Sequence, residues 1–387
     1  MSAMNGPLLV HGRPVHIAGA GPAGLAAAIT LAIAGREVIV HEARLAVGYR
    51  FRRDLQGLES WTLEQDVIVE LEALGLSTAF DMLPCRRATA FDPYGRAHIM
   101  QSDTPIFYLV ERGPGTHSLD TALLRQARAL GVTVLFNSRL GPLDAPALLA
   151  GGPKAADAIA VGYNFDTDMA DGFWLICDDT LAPQGYAYLL VMRGKATVKS
   201  CMFSGFQHQR VYAQRTVEAF RRLVGLEIRN PKPHGGVATF RLQTSAHADE
   251  RHLVGEEAGF QDALWGFGMR LAMRSGVLAA RALMEGENYD TLWRRELYPW
   301  LRASIVNRAL YSMLGNRGYS WFLSRAASMD ARQFLRRRYQ PSWFKRALEP
   351  WAQMRYEQTR ERHGKDKPRA RRDRVLELPA RTGHHGN

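Results

Sequence analysis

The stretch Val15-His16-Ile17-Ala18-Gly19-Ala20-Gly21-Pro22-Ala23-Gly24 decides the fold, and Glu42 closes the unit it begins. A β-prone run enters a GxGxxG turn, and a helix of small and apolar residues follows over 25–34. A second β-prone run, Glu37-Val38-Ile39-Val40-His41-Glu42, ends on an acid. Each part has a mechanical reason. Gly19 permits the tight turn, Gly21 lets backbone N–H groups approach a pyrophosphate, and Gly24 allows the helix to pack closely on the strand. The helix N-terminus adds its partial positive charge beside Pro22 and Ala23. Glu42 stands 23 positions after Gly19, where a dinucleotide fold places the carboxylate for the adenosine ribose. Ala20, Ala43 and Arg44 complete the predicted cofactor-facing turn and edge. This unit alone leaves NAD and FAD both open.

The tie-breaker lies downstream, at Leu253-Val254-Gly255-Glu256-Glu257-Ala258-Gly259, then Gly266-Phe267-Gly268-Met269, then a helix to about Met284. Here the chain resembles the FAD-dependent oxidoreductase superfamily of aromatic hydroxylases, geranylgeranyl reductases and lycopene cyclases. That group carries a second flavin motif, GDxxG…GxG, opening a helix. The segment Ala272-Met273-Arg274-Ser275-Gly276 looks most like the geranylgeranyl reductase branch. A third piece, Leu119-Asp120, Leu123-Leu124, Ala127 and Gly131-Val132-Thr133-Val134, matches the LDxxLxxxAxxxGV helix and strand that flank FAD in the family. The resemblance implies FAD as cofactor, with Glu256 at the ribityl chain and Gly266, Phe267, Gly268 and Met269 at the ring. Two departures stand out. Glu256 replaces the usual aspartate, and Thr116 stands where relatives carry Arg or Gln, with Arg112 the nearest arginine.

The resemblance implies an α/β fold: a Rossmann-type FAD-binding domain, an inserted antiparallel-sheet substrate domain and a helical C-terminal extension. Residues 13–48, 115–162 and 246–286 form the discontinuous FAD domain, and 49–114 with 163–245 form the substrate domain. Short β-rich runs support the insert, among them 88–91, 105–110, 173–176, 186–191 and 196–198. Residues 287–360 form a basic, Trp-rich helical extension, and 361–387, dense in charge and poor in periodicity, are expected to be disordered.

A chain of 387 residues, 46% of them hydrophobic, is long enough for a large core. Cys85, Cys177 and Cys201 form no CxxC pair, so free thiols in a reducing compartment are expected, with a redox-active cysteine as the lesser reading. Histidines are scattered and no metal-ligand spacing occurs, so no metal is expected. Residues 1–12 carry no secretory-signal pattern, and no apolar run reaches the ~20 residues of a spanning helix. Charge is unevenly placed. Residues 301–387 hold 20 Lys or Arg against 7 Asp or Glu, which exceeds the net +12 of the whole chain. Trp293, Trp300, Trp321, Trp343 and Trp351 interleave with those basic residues, a pattern that an anionic membrane surface attracts. The competing reading packs these aromatics on the body. No nucleic-acid-binding pattern occurs. A cytoplasmic protein, peripheral on the inner face of a membrane, is the expected location.

The strand Gly185-Tyr186-Ala187-Tyr188-Leu189-Leu190 occupies the place of the reductase family's YxWxFP element, and alternation puts Tyr186 and Tyr188 on one face. Either phenol is a candidate proton donor. The loop Gly48–Trp61 carries Arg50, Arg52 and Arg53 beside Asp54 and Gly57. Arg53 is the candidate there for an anionic flavin edge, against a plain solvated basic loop. At 157–162 only Gly162 remains of the hydroxylases' Ala-Asp-Gly sequence, and the halogenases' WxWxIP is absent. The expected reaction is therefore hydride transfer from reduced flavin to a carbon–carbon double bond of an apolar polyprenyl or polyene substrate. The alternatives are a flavin monooxygenase or cyclase on a similar lipid, and a non-catalytic flavoprotein partner at a membrane surface. The reductant stays open: NADPH, ferredoxin or another donor, the latter two through a redox partner protein.

Overall fold

A computed structural model describes residues 13–141 and 147–365. Three sheets organise the body. The first has the spatial order Thr133–Phe136, Val38–Glu42, Val15–Ala18, Ala147–Leu149, Arg251–Leu253 and His247–Ala248. Every neighbouring pair is parallel except the last hairpin. Val15 pairs with Val38 and Ala18 with His41, which brings the Gly19 turn and Glu42 to the same carboxyl edge. In open parallel sheets that edge is where ligands bind.

The helix Pro22–Ile33 is almost wholly apolar and buried from Ala23 to Ile29, lying between the sheet and the helix Met269–Glu285. Glycines set that approach. A Cβ on Gly276 would lie 2.1 Å from the carbonyl oxygen of Ala23, and one on Gly24 would lie 2.0 Å from that of Gly19. The Ser275-Gly276 pair is therefore a helix-contact element, and Ser275 Oγ also accepts the Gly255 N–H at 2.8 Å. Ile17, Leu25 and Ile29 are fully buried here, where truncation to alanine costs about 2–5 kcal/mol.

The region expected to be one antiparallel sheet is two. Asp54–Glu59, Phe107–Arg112 and Met82–Cys85 form a small antiparallel sheet. The large sheet has seven strands in the order Arg229–Ala238, Ala158–Asp166, Lys195–Met202, Tyr186–Met192, Gly172–Ile176, Arg87–Phe91 and Ala97–Gln101. It is mixed, because Gly172–Ile176 and Arg87–Phe91 run parallel. Residues 158–162, assigned from sequence to the FAD domain, are the first half of a strand in this second sheet. The run 105–110 likewise belongs to the small sheet.

The C-terminal extension is helical: Tyr289–Glu296, Tyr298–Tyr311, Gly315–Ala327, Ala331–Tyr339 and Trp343–Lys365. Its tryptophans do not share one face. Trp293 is fully buried against Phe260, while Trp321 and Trp343 are 61% and 78% exposed. Tyr339 enters the core and donates to Asp262 at 2.7 Å. The helix runs to Lys365, past the expected onset of disorder at 361. The rest of that expected tail lies outside the described residues.

Candidate functional site

A cavity of about 740 Å³ runs from the Gly19 turn to the aromatic face of the seven-stranded sheet. At its first end Gly19 has φ +106°, and a Cβ there would meet the Ala150 carbonyl oxygen at 2.3 Å. Only glycine fits that turn. Gly21 is the N-cap of the helix Pro22–Ile33, and a Cβ on it would meet nothing within 4 Å. Gly21 lines the cavity, so its missing side chain is room for a ligand against the helix N-terminus. Glu42 is fixed by two backbone donors, Ala20 N–H at 3.0 Å and Arg44 N–H at 2.8 Å. Pro22, Ala23, Ala43 and Arg44 also line this end. Ala20 and Gly24 do not. They lie under the turn, where Ala20 is fully buried and Gly24 abuts Gly19.

Arg53 does not line the cavity. Its backbone turns to φ +63° and its guanidinium pairs with Asp166 at 2.5 Å. Arg50 lines the cavity in its place and donates to Glu256 at 2.9 Å. Arg112 also reaches the cavity, locked by a two-bond fork onto buried Asp120 at 2.8 and 2.9 Å and by a third bond to Gln56.

At the far end Gly266, Phe267, Gly268 and Met269 form the wall where the helix Met269–Glu285 begins. Phe267 presses onto Gly57, where a Cβ would lie 2.1 Å from its ring, and packs edge-on against Trp61 and Phe107. Glu256 accepts the Thr239 N–H at 3.1 Å, and burial raises its pKa despite the opposing charge of Arg50.

Tyr186 and Tyr188 share the cavity wall, ring centroids 5.8 Å apart. Tyr186 donates to the Trp265 carbonyl. Tyr188 sits in register with Lys199 on the adjacent strand. Burial raises both phenols well above their ordinary pKa, with Cys201 adding to it for Tyr186 and Asp54 for Tyr188, so each keeps its proton at neutral pH.

Behind Tyr188 lies a group that sequence reasoning missed. Lys199 donates to Asp54, both 2% exposed, and His234 Nδ1 is 3.7 Å from the same carboxylate oxygen. Gln56 donates to Asp54 at 2.9 Å, and the His234 Nε2 lies 2.7 Å from the Arg50 carbonyl oxygen. Burial alone would raise Asp54, but Lys199 and His234 hold its pKa below the usual range. Burial lowers His234, with Lys199 acting in the same direction, and so keeps it neutral. All three line the cavity. The one signal in the sequence is Lys199 itself, a cation in the middle of the strand Lys195–Met202. Cys201 also lines the cavity, and burial raises its pKa to about 11 and those of Cys85 and Cys177 to about 12. Thiols so protonated are poor nucleophiles, which weighs against a redox-active cysteine.

The parallel sheet, the Gly21 cradle at a helix N-terminus, Glu42 at the end of the neighbouring strand and the second helix terminus at Met269 form an arrangement that FAD would fit. Fold and site together define a flavoprotein of the FAD-dependent oxidoreductase superfamily. Within that class the chain is similar to geranylgeranyl-type reductases. It is 26% identical over 202 residues to the digeranylgeranylglycerophospholipid reductase of Haloferax volcanii, covering 44% of this chain and 49% of that protein. The protein of the same name from Methanosphaerula palustris is 27% identical over 323 residues, 70% of this chain and 76% of its own length. The match thus spans about half of the first relative and three quarters of the second. Among solved structures, a geranylgeranyl bacteriochlorophyll reductase-like protein from Thermoplasma acidophilum aligns with a TM-score of 0.66 at 18% identity, over 89% of this chain and 98% of that one. A flavin-dependent brominase aligns at 0.62 and 13% identity, over 91% and 99%. No family model matches the chain.

Proposed function

We propose that this chain reduces carbon–carbon double bonds of an apolar polyprenyl or polyene substrate. The observation that carries this reading is the wall at the ring end of the cavity, where Phe107, Phe173, Tyr186, Tyr188, Leu190 and Trp265 converge. Such a surface accepts a hydrocarbon chain and excludes water. The two relatives named as reductases of geranylgeranyl-bearing lipids support it. FAD, when bound, supplies the hydride. The chain's residues do the rest. Gly19, Gly21, Glu42 and the helix at Pro22 would hold the pyrophosphate and ribose, while Arg50, Glu256 and the Gly266–Met269 segment would hold the ribityl and ring. Tyr188 supplies the proton at the second carbon, since the Tyr186 hydroxyl is committed to a backbone carbonyl. The Asp54–Lys199–His234 group stands beside Tyr188 and restores its proton.

Mass spectrometry of lipids in cells with and without the gene tests the reading. Loss of the gene should leave polyprenyl chains or pigments carrying extra double bonds. Products lacking an oxygen atom would favour a monooxygenase, an isomeric product a cyclase, and an unchanged lipid profile the non-catalytic partner role.

We infer further that the extension meets an anionic membrane surface. Trp321, Trp343 and Phe344 are exposed, with Arg337, Arg338 and Arg346 exposed on the same helices as Trp343 or next to them. No described helix is long and apolar enough to cross a membrane. Each surface-proximal cation contributes roughly 1 kcal/mol to such attachment.

A further inference from the structure

A second, smaller cavity of about 50 Å³ lies where the C-terminal extension meets the body, behind Phe203, which also lines the large cavity. Its floor is Arg308, which is 8% exposed. The guanidinium stacks 4.1 Å over the Phe203 ring and donates one N–H to the Gln184 carbonyl. Its other terminal nitrogen, Nη1, is buried and has no acceptor among the described residues. No carboxylate among the described residues lies within 4.0 Å of Arg308. Burial lowers its pKa, against the opposing influence of Tyr311, Tyr319, Cys201 and Asp262.

Two more guanidinium-bearing side chains, Arg355 and Arg360, line the same cavity from the helix Trp343–Lys365. The cavity's one carboxylate, Asp157, is committed: it accepts the Phe240 N–H and pairs with Arg360 at 3.1 Å. Three cations thus converge with one anion, already used. A buried charge without a partner costs several kcal/mol, and a buried guanidinium with free N–H groups is a strong, directional anion receptor.

We propose that this cavity binds a compact inorganic anion, of halide to tetrahedral-oxyanion size, on Arg308, Arg355 and Arg360. A cavity needs only ~10–15 Å³ per water-sized occupant, so the volume admits such an ion. The anion supplies the missing acceptor of Arg308 Nη1. It also bridges the helix Tyr298–Tyr311 to the helix Trp343–Lys365, so its presence pins the end of the extension to the body.

The test uses the FAD-loaded protein, so that phosphate has no access to the Gly21 turn. Thermal unfolding is followed with sodium chloride, sodium phosphate and sodium gluconate at matched ionic strength. Chloride or phosphate should raise Tm saturably, by about 4 °C at a hundredfold excess over Kd, while gluconate does not. Amide exchange in 343–365 should slow in parallel. The Arg308→Met variant should lose both effects and keep its FAD. An equal rise with gluconate, or an unchanged rise in Arg308→Met, overturns the proposal. Should that variant not fold, bromide-soaked crystals of the wild-type protein decide: an anomalous peak beside the Arg308 guanidinium supports the site, and none there overturns it.

Discussion

The two ends of the large cavity are built by different means. The dinucleotide end is made by backbone: Gly19 in its left-handed turn, the bare Cα of Gly21, and Glu42 fixed by two N–H donors. The far end is made by side chains brought from distant segments, with Asp54, Tyr188, Lys199 and His234 meeting across four strands of two sheets. Backbone recognition tolerates little and is shared across chemistries. Side-chain recognition decides what is transformed. The flavin-dependent brominase that shares the fold at 13% identity illustrates how little the first end says about the reaction.

If the ends are separable, changes at one should spare the other. The largest effect is expected for Gly21→Val. Its Cβ enters the space against the helix N-terminus, and purified protein should lose nearly all FAD while its circular dichroism stays native. Full FAD occupancy in that variant would break the assignment of the dinucleotide end.

Lys199→Met should act in the opposite sense, leaving FAD bound and the fold weakened. It strands the Asp54 carboxylate in the interior, at a cost of about 3–5 kcal/mol by urea unfolding. Replacing both, as Asp54→Leu with Lys199→Met, should recover much of that loss. If the single variant is as stable as the wild type, the pair is not the buried, mutually dependent unit described.

Tyr188→Phe should leave FAD content and stability near wild type and slow the reoxidation of reduced flavin by substrate, by about 10²-fold or more. Tyr186→Phe should slow it less, because that hydroxyl is already spent on the Trp265 carbonyl. Equal effects would remove the distinction between the two phenols.

The smallest effect concerns the edge of the first sheet. Burial, with the neighbouring His247 charge, lowers His252 to about 4 from its ordinary 6.5. The folded state therefore binds fewer protons than the unfolded state between those values. Its contribution to stability is full above pH 6.5 and is lost as pH falls toward 4. His252→Phe should flatten that part of the stability profile, measured by chemical unfolding across the range, and leave FAD binding unchanged.

This contrast also explains what was legible in the sequence. Gly19, Gly21, Gly24 and Glu42 lie within one contiguous βαβ unit, so spacing alone carries their geometry. Gly266 to Met269 could be placed because a helix start follows them directly. Arg53 was misplaced because one left-handed residue in the loop turns its side chain to Asp166 and gives the cavity to Arg50. Asp54, Lys199 and His234 were invisible because only the packing of the small sheet on the seven-stranded one brings Asp54 to the other two, and Lys199 in mid-strand was the sole hint. The tryptophans of the extension misled in part. Amphipathic spacing in helices cannot tell Trp293, sealed against Phe260, from Trp343, left in solvent.

The most direct test of the central claim is an anaerobic single turnover. Protein whose FAD has been chemically reduced is mixed with a geranylgeranyl-bearing lipid, and flavin absorbance is followed while the lipid is analysed by mass. Reduction of a double bond predicts that oxidised flavin reappears without oxygen and that the lipid gains two hydrogens per flavin. Flavin that stays reduced until air is admitted, with an oxygen atom then found in the product, would contradict it.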